Sequence, residues 1–158
     1  MARPILYISG PYSPGNGRTV SQNIAVAREH AVAAAKRGWF PFTPHLNTAH
    51  FEKDCPEISH KDWVNGDLEI LGLLGQGRGA VLMLPGWEGS RGVRLERDWA
   101  IYLNLEVFDP PEAPESIPPA AAFPGRSGYY YCDSEGWCSC DREACPTWEE
   151  CSVKGRCR

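Results

Sequence analysis

"AVLMLPGWEGSRGVRLERDWA", residues 80–100, decides how the chain is read. "AVLMLPG" (80–86) is a short continuous apolar run that ends in a Pro-Gly turn, the pattern of a strand buried on both faces. A Gly-rich turn follows, and a helix is predicted over 90–103. In that helix Val93, Glu96 and Ala100 stand at i, i+3 and i+7, so they share one face. A carboxylate thus points the same way as the core-facing residues.

Working outward, the same strand-turn-helix unit recurs. "PILYISG" (4–10) reads as a buried strand and "PYSPGNGR" as a Pro/Gly loop. "TVSQNIAVAREHAVAAAKRG" (19–38) reads as a helix, with an apolar stripe of Val20, Ile24, Ala27, Ala31 and Ala34 or Ala35. Gly38 is placed to stop it. "WFPFTP" (39–44) is a second short strand interrupted by Pro41, and residues 45–61 look irregular. "DWVNGDLEILGLL" (62–74) is a further helix, and "LEVFD" (105–109) a last strand. The order β-α-β-α-β-α-β predicts a flavodoxin- or Rossmann-like α/β domain, a parallel sheet with helices on both faces. Ligands of such sheets lie at the carboxyl ends of the strands. The loops after Gly10 and Pro44 and the turn Gly86–Ser90 would meet there.

The remainder differs in composition. The α/β domain is expected over 1–109. Residues 110–128 hold six prolines and read as a linker or a surface-hugging extension. Residues 129–158 form a small Cys-rich C-terminal extension. Of seven cysteines only Cys55 precedes it; the others are Cys132, Cys138, Cys140, Cys145, Cys151 and Cys157. Their spacing lacks the paired C-x2-C of a strong zinc pattern. Four thiolates would still close a structural zinc site, six would form three disulfides, and a reducing cytosol disfavours the latter.

The net charge of −4 over 158 residues, with no long basic run, argues against duplex nucleic acid or an anionic membrane as partner. No apolar stretch in the sequence reaches bilayer length, and "MARPILYISG" lacks a signal-peptide layout; a cytoplasmic protein is expected.

A second acid repeats the opening pattern. Asp67 shares a helical face with Ile70, Leu71 and Leu74. Two carboxylates on core-facing stripes need a compensating partner or a function. Arg91, Arg94 or backbone amides would satisfy them as structural acids; paired carboxylates also carry acid–base and nucleophilic chemistry. His45, His50, Asp54 and His60 fit no standard metal-ligand spacing, so a metal site in the body stays unassigned.

"YISGPYS", "DLEIL" and "LPGWEGSRGVRLERDWA", in this order, resemble the nucleoside 2-deoxyribosyltransferase-like family. That family includes small, often phage-encoded relatives of unassigned activity and a 2′-deoxynucleoside 5′-monophosphate N-hydrolase branch. The likeness spans residues 4 to about 109. It implies cleavage of the N-glycosidic bond of a 2′-deoxynucleoside or its 5′-monophosphate, by hydrolysis or base transfer. Glu96 would be the nucleophile forming a covalent glycosyl-enzyme, Asp67 the acid serving the leaving base, and Tyr7 the residue orienting Glu96. Ser9, Gly10 and Ser13 would line the sugar or phosphate pocket, and Ser90 and Gly92 a phosphate at the helix start. Two further residues stand at the rim apart from the resemblance: Trp87, in a turn longer than the family's, would stack on a base or cap the sheet edge, and His45 would contact the base or be an ordinary loop histidine. The resemblance implies no catalytic cofactor and a homo-oligomer of at least two chains. A reading from another class is a non-catalytic nucleotide-binding module with a Cys-rich interaction tail.

Overall fold

A computed structural model describes residues 3–15, 17–75 and 79–123. The Cys-rich extension, with its zinc or disulfide expectation, lies outside the described residues.

Four strands form one all-parallel sheet in the order β2-β1-β3-β4. They are β1 (Ile5–Ser9), β2 (Phe40–Phe42), β3 (Gly79–Met83) and β4 (Glu106–Phe108). Every residue of β3 is buried, as its unbroken apolar run requires at the centre of a sheet covered on both sides. Pro41 is tolerated because β2 is an edge strand that pairs only with β1. Gly79 has no alternative: a Cβ there would stand 2.6 Å from the Ile5 carbonyl oxygen.

The connections are helical. Helix α1 (Val20–Lys36) opens with a capping box, Thr19 and Gln22 each satisfying the other's backbone N–H. Its C-terminal stop is Gly38, at φ 93°. The segment expected to be irregular contains two four-residue helices, α2 (Pro44–Asn47) and α3 (Phe51–Asp54). One helical turn is too short to display a period, and Pro44 at the first position of α2 is its only sequence mark. Helix α4 (His60–Leu74) starts two residues before the expected Asp62, because Ser59 and Asp62 form a second capping box. Helix α5 (Arg91–Tyr102) is capped by Ser90, and its buried residues are Val93, Glu96 and Ala100.

The alternation along β1 divides the core. Leu6 and Ile8 face α1 and pack with Ala27, Ala31, Trp39 and Leu82. Tyr7 faces the other way and packs with Leu71, Val81, Met83, Val93 and Ala100.

The Pro-rich stretch is no free linker over its described part. Pro114–Ser116 and Ala120–Ala122 form 3-10 turns, and Ile117 between them is fully buried in the α1-side core. The Ala120 N–H donates to the Arg37 carbonyl at 2.9 Å. Proline lowers the entropy cost of ordering such a segment, and Ile117, Ala120 and Phe123 supply apolar anchors. Among the described residues, no helix is long and apolar enough to cross a membrane.

Candidate functional site

A cleft of about 570 Å³ opens at the carboxyl ends of β1 and β2 and at the N-terminus of α5. One wall is the loop Gly10–Gly15 after β1. A second is built by α2, α3 and the start of α4, and a third by Gly89–Val93. The two acids, Asp67 and Glu96, both line it.

Each wall is fastened by polar contacts. Buried Asn23 of α1 donates to the carbonyls of Tyr12 and Ser13, at 3.2 and 3.0 Å, and so fixes the first loop from below. Tyr12 bridges to the second wall: its hydroxyl donates to Glu52 and accepts from the His50 N–H, both at 2.9 Å. His45 is buried, with Nε2 2.9 Å from the Pro11 carbonyl. Burial lowers its pKa below the ordinary histidine value, and because a carbonyl can only accept, Nε2 is the donor of this bond.

The acids sit in contrasting company. Glu96 is 7 % exposed, and Ser9 Oγ donates a hydrogen bond to its Oε2. Burial pushes the Glu96 pKa up to about 8, with the Asp67 charge adding to the rise and the Ser9 and Tyr7 hydroxyls opposing it. Burial alone raises Asp67 to about 6. The Tyr7 hydroxyl is buried and pairs with no atom in full hydrogen-bond geometry. Its pKa is raised well above normal, by burial first and then by the facing Glu96 and Asp67 carboxylates.

The expected site residues therefore divide. Gly10, Ser13, His45, Asp67, Ser90, Gly92 and Glu96 all line the cleft. Ser9 does not line it: as the last residue of β1 it is fully buried, and its side chain is spent on Glu96. Tyr7 also lies beneath the cleft, with its hydroxyl facing the Glu96 carboxyl that Ser9 binds in full hydrogen-bond geometry. Trp87 is the clearest departure. Its ring packs against the α5-side core under the Arg97 guanidinium, 4.8 Å from the ring centroid, and is absent from the cleft wall. A different tryptophan takes that place. Trp63 of α4 lines the cleft one helical turn before Asp67, braced edge-on by Phe51 at 6.3 Å. In the sequence Trp63 is marked only by its i, i+4 spacing to Asp67.

Among the described residues, no group of three or more His, Cys, Asp or Glu side chains is placed to hold a metal ion. Anion-binding capacity is concentrated at the start of α5, where Ser90, Arg91 and Gly92 line the cleft. Set against known proteins, the chain matches no family model and no curated protein at significant similarity.

Proposed function

We propose that the cleft binds a 2′-deoxynucleoside or its 5′-monophosphate and breaks the N-glycosidic bond, with Glu96 as nucleophile and Asp67 as proton donor. The observation that carries this reading is the pairing of a buried carboxylate, Glu96, with a half-buried one, Asp67, on separate helices, in a cleft with an aromatic wall and a helix N-terminus. Retaining glycosidases need such a pair, one carboxylate charged and one protonated. The resemblance of the β1, α4 and β3–α5 segments to nucleoside deoxyribosyltransferase-like proteins points to the same chemistry.

In the first step a Glu96 oxygen bonds to C1′ and the C1′–N bond breaks. Its electron pair passes to the base nitrogen, and Asp67 supplies a proton to the base. In the second step water attacks C1′, the C1′–O bond to Glu96 breaks with its electron pair returning to the carboxylate, and Asp67 takes the water proton. A second base in place of water gives transfer. A 2′-deoxy sugar suits this route because it lacks the electron-withdrawing hydroxyl that destabilises an oxocarbenium-like transition state. Trp63 offers a stacking surface to the base, and the α5 start offers amides and Arg91 to a phosphate.

The acidities favour one alternative role assignment. Burial raises the pKa of Glu96, to about 8, further than that of Asp67, to about 6, which favours the proton on Glu96 in the absence of substrate. Glu96 would then be the acid and Asp67 the base that activates water. The two assignments differ in whether a glycosyl-enzyme forms.

The test is chromatography of base release from a panel of deoxynucleosides and monophosphates, with and without added base. Mass spectrometry of denaturant-quenched protein then looks for the glycosyl adduct. Glu96→Gln is expected to cut turnover by roughly a thousandfold or more and to abolish the adduct. Nucleotide binding with no base release from any substrate in the panel would replace the catalytic reading with the binding-module reading. Ser90→Asp reports on the phosphate: it should damage monophosphate turnover far more than nucleoside turnover, through like-charge repulsion.

A further inference from the structure

We propose that Ser9 is a positioning residue for Glu96: its hydroxyl holds Oε2 and leaves Oε1 as the oxygen that joins C1′. The inference rests on the glycosidic reading above and assigns a division of labour within that carboxylate.

The geometry begins in the strand. Ser9 ends β1, in register with Met83 of β3, and its carbonyl accepts from the Leu84 N–H at 2.8 Å. The backbone at this point is thus held by the sheet. The next residue, Gly10, lies so close to Leu84 that a Cβ would stand 2.7 Å from Leu84 Cδ1. Ser9 is fully buried, so its hydroxyl has no water to exchange with, and its hydrogen bond goes to Glu96. Period-two alternation puts Tyr7 and Ser9 on one face of β1. Two hydroxyls therefore stand beneath one buried carboxylate, and that of Ser9 meets it in full hydrogen-bond geometry while that of Tyr7 does not.

A carboxylate that attacks carbon uses one oxygen and turns the other into an ester carbonyl. A donor fixed on Oε2 selects which oxygen is which. It also restrains the carboxylate from rotating and favours its charged form. When water later breaks the C1′–Oε1 bond, the electron pair returns to a carboxylate that Ser9 already stabilises. Apart from Ser9, the groups facing Glu96 are the Tyr7 hydroxyl from β1 and the Asp67 carboxyl from α4. β3 contributes no titratable side chain.

Ser9→Ala tests the assignment, because deleting one oxygen from a buried site leaves the strand intact. The Glu96 carboxyl is titrated by carbon-13 NMR on folded protein, and turnover is followed across pH. Loss of the donor makes the charged form harder to reach. The Glu96 titration and the alkaline limb of the pH profile should therefore move up, and maximal turnover should fall about tenfold or more. Ser9→Thr, which keeps the hydroxyl, should restore both. On a Glu96→Gln background Ser9→Ala should cost nothing further in turnover. An unchanged Glu96 titration and pH profile in folded Ser9→Ala, with Glu96→Gln inactive, overturns the role of Ser9 and leaves the glycosidic reading standing. An active Glu96→Gln overturns the glycosidic reading, while the titration still reports whether Ser9 controls this carboxylate.

Discussion

The Trp39 indole N–H donates to the Pro118 carbonyl at 2.7 Å, tying the entrance of β2 to a segment 79 residues later. Trp39 is fully buried, and Phe108 and Phe123 pack around its ring at 6.0 and 5.2 Å. The domain is therefore completed by residues beyond its last strand. A chain ending after Asp109 should unfold at a clearly lower temperature than one ending after Phe123. Within the full chain, Ile117→Ala should cost about 2–5 kcal/mol, the range for a large buried aliphatic side chain. Thermal and urea unfolding of the two shortened chains, the Ile117→Ala variant and the full-length parent measures this.

Glu96 makes the stability of the ligand-free protein depend on pH. Its folded pKa, about 8, lies above the ordinary value of 4.5. Between these values the folded state holds a proton that the unfolded state has released. Stability therefore falls as pH rises through this window. Glu96→Gln removes the charging cost. Its melting temperature should exceed that of the parent at pH 8 and above, and the gap should close near about pH 5. A gap independent of pH would mean that the carboxyl titrates normally.

Catalysis should follow a bell-shaped pH profile. Both role assignments need one proton on the Asp67–Glu96 pair. Activity should fall on the acid side as both acids become protonated, near pH 6, and on the alkaline side as the last proton leaves, near pH 8. These limbs belong to the pair and not to either residue. The logarithm of kcat/KM against pH is the measurement, and a flat profile from about pH 5 to about pH 9 contradicts a shared-proton mechanism.

Trp63 and Trp87 make a contrasting pair. Trp63→Ala should weaken binding of a free nucleobase by roughly 5- to 150-fold, the effect of losing about 1–3 kcal/mol of stacking. Trp87→Ala should instead destabilise the fold, because that ring packs on the core under Arg97. Calorimetric titration with a free base, together with thermal unfolding, separates the two effects.

The regular elements are legible in the sequence because they are long enough to show a period. β3 is an unbroken apolar run and β1 is one as far as Ile8, and the spacing of Val93, Glu96 and Ala100 marks the buried face of α5 directly. The same spacing singles out Glu96, a carboxylate on a stripe of core-facing residues. Features that depend on three-dimensional closure are not legible. Ile117 sits among prolines, and nothing local marks one isoleucine as core. Trp87 follows a Gly-rich turn at a rim where ligands bind, and only the packing of Arg97 shows the ring to be structural. Ser9 reads as the start of a ligand loop, whereas the pleat turns it inward toward a residue 87 positions away.

The contact between Gly10 and Leu84 bears on how such a site can diversify. No side chain fits at Gly10 without displacing Leu84, so the seam between the ends of β1 and β3 is closed to gradual change. The carboxylates and their hydroxyl partners are fastened to this seam or to the helices packed on it. The second wall, with Glu52 and Trp63, stands on two single-turn helices, their loops and the first turn of α4. Substitutions there reshape what enters the cleft while leaving the acids where they are. On the proposed reading, changes in that wall would alter substrate preference one residue at a time, while the carboxylate chemistry stays tied to the seam.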